Sequence, residues 1–177
     1  MGPFDCAAVT LPACRAVLRR LTEDDLSRPT PCTEYTVGDV GQHVVRSMVL
    51  LASVAGEQID NPVAGPLEEN VAATAEAALA AWRRHGLDGS VAVGRSVMPA
   101  GLAVEIIPLE LLVHGWDIAQ ATGQSIDASP EVASYLLARA RELITQDKRG
   151  RSFAAEVPVR PEATALRRLI AFTGRPP

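Results

Sequence analysis

Apolar residues recur every three or four positions in five long segments of this chain, and that periodicity restricts the fold to a helical class. Such spacing places the apolar side chains on one face of a helix, where they can pack against other helices. In the second segment this stripe consists of Val40, Val44, Met48, Leu51 and Val54. The predicted helices cover residues 4–21, 37–55, 67–84, 102–122 and 130–148, followed by a short one over residues 162–172.

Turn-forming and capping residues separate these segments. Prolines and other turn formers make residues 27–35 a loop, and a second loop is predicted over residues 60–66. Thr36 is followed three residues later by Asp39, a variant of the capping box found at helix starts. Pro108 lies inside the fourth segment, where we expect a kink because proline has no backbone donor and clashes with the preceding turn.

Residues 86–99 break the helical pattern. They combine three glycines with a short alternating run, Ser90 to Val93, which predicts extended structure and a small hairpin. Hydrophobic residues make up 47% of the chain, and many of them are alanines, which suit close helix packing better than a sheet. The fold class predicted from the pattern is therefore mainly α with a minor β element.

Composition argues against several classes of partner. The formal net charge is -4 and no basic stripe is present, so we expect binding neither to nucleic acid nor to an anionic membrane surface. Aromatic residues make up only 4%, which disfavours stacking platforms. The sequence shows no secretory or membrane-spanning pattern, and its three cysteines lack CxxC spacing. These features predict a protein of the cytoplasm.

One constellation of residues suggests metal chemistry. Glu110 stands four residues before His114, so both side chains lie on one helical face, and His43 on another helix could supply a third ligand. Two imidazoles and one carboxylate leave coordination positions open, as in catalytic sites. Zinc is the first expectation, while iron(II), nickel and manganese stay open. The alternative is an ordinary polar pair on a helix surface, although the apolar surroundings, IIPLELLVHGWDIA, argue for a buried carboxylate that needs a partner.

Several neighbouring residues admit two interpretations. Asp117 would either orient a ligand imidazole from the second shell of the site or form a helix salt bridge. Arg46 would either face the site and bind an anionic group beside the ligands, or remain in solvent. The solvent-exposed position is favoured. His85 is expected at a helix end rather than as a ligand. Cys32 is expected to be a buried thiol rather than a ligand or redox group, and Trp116 to be a packing residue.

Three stretches of the chain resemble a known family. They are PTPCTEYTVGDVGQHVV, ELLVHGWDIAQATG and VPVRPEATALRRLIAFTGRPP. Together they resemble actinobacterial metal-binding proteins related to mycothiol-dependent maleylpyruvate isomerase, in the DinB-like superfamily of four-helix bundles. The resemblance implies such a bundle with short extra helices over residues 1–150 and a C-terminal extension, residues 151–177, packing on it. The family's metal ligands fall on His43, Glu110 and His114.

The resemblance also implies a chemistry. A divalent metal would bind a low-molecular-weight thiol, implied to be mycothiol, and the thiolate would attack a small electrophilic substrate, with S-transfer or isomerisation as the outcome. Because the isomerase carries a further C-terminal domain that helps to hold its dicarboxylate, we expect a substrate other than maleylpyruvate. The competing hypothesis is a non-catalytic helical-bundle protein that binds a metal or ligand. One form of that hypothesis is a dimeric scaffold.

Overall fold

The computed structural model describes residues 1–62, 64–150 and 152–177. Val63, within the predicted loop 60–66, and Arg151, at the predicted domain boundary, lie outside the described residues. The mainly α prediction with a small β element is confirmed. The elements are α1 (Pro3–Leu18), α2 (Val37–Val54), α3 (Leu67–His85), β1 (Ser90–Val93), β2 (Ser96–Pro99), α4 (Ala100–Ala103), α5 (Ile106–Ala121), α6 (Pro130–Leu143) and α7 (Ala165–Phe172), with short 3-10 helices at Glu23–Ser27 and Gln146–Lys148.

The chain forms two compact units, one over residues 2–126 and one over residues 127–177 together with Met1. In the first unit four long helices pack together: α1 contacts α5 and α3, while α2 contacts α3 and α5. In the second unit α6 packs on α7. The division at residue 150 that the sequence suggested stays a prediction. Among the described residues, none of the helices combines the length and the apolar character needed to cross a bilayer.

The core of the first unit follows the predicted stripes. Val40, Val44, Met48 and Leu51 of α2 are all buried, and alanines of α3 allow the helices to approach closely. Two glycines tighten the packing further: a Cβ at Gly41 would collide with Leu67 of α3. A Cβ at Gly115, the residue after His114, would lie 2.7 Å from Ile126 Cδ1. Both helices that carry the predicted ligands are therefore fixed by close contacts beside those ligands.

The hairpin and one capping box are confirmed. Strands β1 and β2 pair antiparallel, with Val93 opposite Ser96. The Thr36 hydroxyl accepts the Asp39 backbone N–H at 3.2 Å, and the Asp39 carboxylate accepts the Thr36 N–H at 3.0 Å. These reciprocal bonds satisfy donors that the first turn of a helix leaves exposed. Hydrogen bonds from Thr36 hold the pKa of the Asp39 carboxyl below its usual value.

The predicted helix over residues 102–122 is wrong as one continuous element. It is divided into α4 and α5, and Pro108 lies in the first turn of α5 rather than at a kink inside a helix. Since Pro108 has no N–H to donate to the Val104 carbonyl, that carbonyl accepts the Ile107 N–H at 3.1 Å, which tightens the backbone between the helices.

Three other helix boundaries shift by a few residues. The first helix ends at Leu18 rather than at residue 21. Helix α6 ends at Leu143 rather than at residue 148, because Ile144 leaves the helical conformation with ψ 82°. Helix α7 begins at Ala165 rather than at residue 162, since the Thr164 hydroxyl caps it by accepting the Arg167 N–H.

The cap of α2 gives the first testable prediction. Thr36→Ala should lower the free energy of unfolding by about 1 kcal/mol, because the hydroxyl that satisfies the Asp39 N–H is lost. Thr36→Ser keeps the hydroxyl and should stay close to the parent protein. Urea unfolding gives the free energy of unfolding of both variants, provided that its dependence on urea concentration, the m value, is unchanged. Equal urea midpoints for the alanine and serine variants would contradict a stabilising role for this cap.

Candidate metal centre

Helices α2 and α5 bring the three predicted ligands together. On α2, His43 directly precedes the fully buried Val44, so its ring lies at the edge of the apolar stripe, with 38% of the side chain exposed. On α5, Glu110 and His114 are one turn apart on the face that meets α2. The candidate ligand atoms of these three residues all lie within 4.8 Å of one another.

The donor atoms converge on the Glu110 carboxylate. Its Oε2 lies 3.1 Å from His43 Nε2 and 3.6 Å from His114 Nε2. The two imidazole rings meet edge to face, with centroids 4.8 Å apart and an angle of 76° between their planes. Ser47, one turn after His43, places its Oγ 3.5 Å from His43 Nε2. Two ring nitrogens and one carboxylate oxygen therefore lie close enough together to be candidate ligands of one ion.

The electrostatics of Glu110 show how strongly this carboxylate depends on its neighbours. Only 17% of the side chain is exposed. Burial raises the pKa of the Glu110 carboxyl, but His114, His43 and Ser47 outweigh that effect and lower the pKa to about 2. Within the described residues, Oε2 nevertheless makes no hydrogen bond of acceptable geometry. A buried, ionised oxygen without a hydrogen bond, facing two Nε2 atoms, fits a divalent cation well.

Asp117 determines which nitrogen of His114 faces that oxygen. Its carboxylate is fully buried, and Oδ2 lies 2.9 Å from His114 Nδ1. Since Nδ1 lies against Asp117, Nε2, which faces Glu110, is the nitrogen that a metal would use. The geometry therefore matches the orienting interpretation of Asp117.

A loop places two more side chains beside these residues, and neither was predicted to lie there. The Cys32 thiol is half-buried, and its sulfur lies within 4.8 Å of candidate ligand atoms of His114 and Asp117. The Tyr35 ring centroid lies 6.2 Å from that of His43, and Tyr35 is 40% exposed. Glu34, between them, has φ 77°, in the left-handed region. Cys32 and Tyr35 both belong to PTPCTEYTVGDVGQHVV, one of the stretches that carry the family resemblance, and that motif was the sequence signal for them.

Three other candidates lie elsewhere. Arg46 is exposed on α2. A position of its side chain beside the candidate ligands stays a prediction. His85 is exposed at the end of α3, where its ring packs edge to face on Trp82 with centroids 5.2 Å apart. Trp116 is buried, as expected of a packing residue.

The family model described as "Mycothiol maleylpyruvate isomerase N-terminal domain" matches residues 11–119, a span that includes His43, Glu110 and His114. The chain belongs to this family. The family is DinB-like, which agrees with the resemblance carried by the sequence motifs.

Relatives cover nearly the whole chain. Two proteins of Mycobacterium tuberculosis, from two strains and both named uncharacterized, are each 34% identical over 167 residues, which is 92% of this chain and 92% of theirs. Membership of the isomerase N-terminal domain family therefore comes with near full-length similarity to these two proteins. No solved structure matches the chain.

The Asp117–His114 pair gives a second prediction. Asp117→Asn preserves the volume but removes the charge that favours a proton on His114 Nδ1, so the affinity for zinc should fall by about 10- to 100-fold. Competition with a chromophoric chelator measures that affinity, and circular dichroism confirms that the variant folds. Unchanged zinc affinity in a folded variant would show that Asp117 has no orienting role.

Proposed function

We propose that this protein is a divalent-metal-dependent enzyme that uses a low-molecular-weight thiol, mycothiol, for S-transfer to a small electrophilic substrate or for its isomerisation. The observation that carries the proposal is the convergence of His43 Nε2 and His114 Nε2 on Glu110 Oε2. The family's description names mycothiol and an isomerase, which supports the choice of thiol and reaction class.

His43, Glu110 and His114 would hold the metal, with zinc as the first expectation. Three protein ligands leave room for an exogenous group, which distinguishes a catalytic from a closed structural site. The partial exposure of His43 supports access from solvent on that side. A bound divalent cation would supply a Lewis acid that lowers the pKa of a coordinated thiol and so favours the nucleophilic thiolate at neutral pH.

The chain's own side chains would orient and surround the reacting groups. Asp117 keeps the His114 ring in the tautomer whose Nε2 is available as a ligand. Glu110 contributes a negative charge that balances part of the charge of a cation. Tyr35, close to His43 and partly exposed, offers an aromatic surface for the part of the thiol or substrate that does not react.

The proposal also includes the kind of partner, the location and the oligomeric state that the sequence predicts. The partner would be a small molecule, not a nucleic acid or a membrane, because the net charge is -4. We also propose a cytoplasmic location. Assembly as a homodimer is a further prediction, which sedimentation of the purified chain would check.

Elemental analysis of variants gives a third prediction. The parent protein, purified without chelator and offered zinc, should hold close to one ion per chain, whereas His43→Ala and His114→Ala should lose most of it. The matched control is His85→Ala, which removes the third histidine of the chain. His85 lies at the end of α3, away from the facing sides of α2 and α5, so this variant should keep the metal. A parent that stays empty would contradict the metal centre.

Addition of thiol to cobalt-substituted protein separates the enzyme from its alternative. Cobalt(II) is the probe because a thiol that enters its coordination sphere produces a new charge-transfer absorption. We expect this absorption to rise with added mycothiol in the parent and in Cys32→Ser. Tight cobalt binding without any thiol-dependent absorption would contradict the thiol-using enzyme and favour a non-catalytic metal-binding protein.

A further inference from the structure

His114 also belongs to a second group of side chains that could hold a metal ion. The Cys32 sulfur, a His114 ring nitrogen and an Asp117 carboxylate oxygen all lie within 4.8 Å of one another. His114 and Asp117 are buried, while Cys32 is half-buried in its loop. This group shares only His114 with the centre described above, since His43 and Glu110 belong to the other group.

We propose that Cys32, His114 and Asp117 form a second cation site that takes a soft, thiophilic divalent ion such as cadmium. The site goes beyond the proposed function, because it needs neither the thiol cosubstrate nor the two ligands His43 and Glu110. Thiolate selects soft metals, while imidazole and carboxylate complete a mixed donor set.

The spacing of the three donors suits one ion. Metal–ligand bonds of about 2.0–2.3 Å in tetrahedral geometry separate neighbouring donors by roughly 3.4–3.8 Å. His114 Nδ1 and Asp117 Oδ2 lie 2.9 Å apart, a hydrogen-bond distance that would widen once an ion replaced the shared proton. The Cys32 backbone is held by its own loop: its N–H donates to Thr30 Oγ1 at 3.2 Å, and its carbonyl accepts the Tyr35 N–H at 3.1 Å. Binding an ion would bring the three donor atoms, which now lie within 4.8 Å of one another, to that separation.

Proton balance makes the two sites compete. Binding at the second site releases the Cys32 thiol proton to solvent as the sulfur–metal bond forms. The proton that His114 Nδ1 shares with Asp117 must also leave Nδ1, and in the neutral ring it moves to Nε2. A protonated Nε2 of His114 cannot bind an ion that Glu110 and His43 also hold. A soft ion at Cys32 therefore displaces the ion held by the first site.

The other two cysteines provide a clean background. Cys6 and Cys14 both lie in the core of α1. Burial raises the pKa of Cys6 to about 11 and that of Cys14 to about 12, so both remain thiols at neutral pH. Cadmium–thiolate absorption in the folded protein should thus report Cys32, and Cys6→Ala is a matched control.

Ultraviolet titration with cadmium tests the proposal on the full chain. We expect cadmium–thiolate absorption that saturates at one ion per chain in the parent, in Cys6→Ala and in Glu110→Gln. Cys32→Ser should lose it while still binding zinc at the first site. Cadmium should also release zinc from the parent but not from Cys32→Ser. Persistence of the absorption in Cys32→Ser would overturn the proposal.

Two further outcomes are equally decisive. Loss of the absorption in a folded Glu110→Gln variant would mean that Cys32 ligates the ion of the first centre, which overturns a separate site. Alkylation with iodoacetamide, read by mass spectrometry, needs no variant at all: cadmium should protect Cys32, and equal labelling with and without cadmium would overturn the site. Failure of the cobalt–thiol assay leaves these results unaffected, so the two proposals fail independently.

Discussion

The structure depends at its functional end on one buried carboxylate, Glu110, lying between two imidazoles. Taking an ionised carboxylate out of water is costly unless opposite charge or hydrogen bonds compensate. Here His43 Nε2 and His114 Nε2 lie 3.1 and 3.6 Å from Oε2, yet neither makes a hydrogen bond of good geometry with it. A cation would complete that compensation, because the three candidate ligand atoms lie within 4.8 Å of one another, and this is the basis of the proposed metal centre.

Such a cluster requires a rigid support, and the bundle supplies it through close helix contacts. Gly41, two residues before His43, leaves room for the Leu67 side chain of α3, and Gly115, directly after His114, leaves room for Ile126 Cδ1. Because a packed interior yields little to displacement, these contacts help to hold α2 and α5 in place beside His43 and His114. The buried alanines of α3 contribute to the same close packing, because small side chains let neighbouring helices approach.

Helical spacing and local chemistry were sufficient to predict much of this arrangement. The four-residue interval between Glu110 and His114 places them on one face whatever the fold, and Thr36 with Asp39 marks the start of α2 through bonds within one turn. The predictions failed where distant parts of the chain meet. Pro108 was expected to kink a helix, but the backbone tightens before it instead. Cys32 and Tyr35 reach the site only because their loop folds back, which no periodicity records.

His114 unites the two halves of the site because its ring nitrogens have different partners. Nδ1 lies against the fully buried Asp117, and Nε2 faces Glu110. One proton shared by two nitrogens means that an event on one face changes the ligand quality of the other. The Cys32 loop lies on the Asp117 side, and Tyr35 of the same loop lies near His43. Since Cys32 lies near His114 and Asp117, an ion bound at the proposed second site would change the ligand that His114 presents to Glu110 and His43.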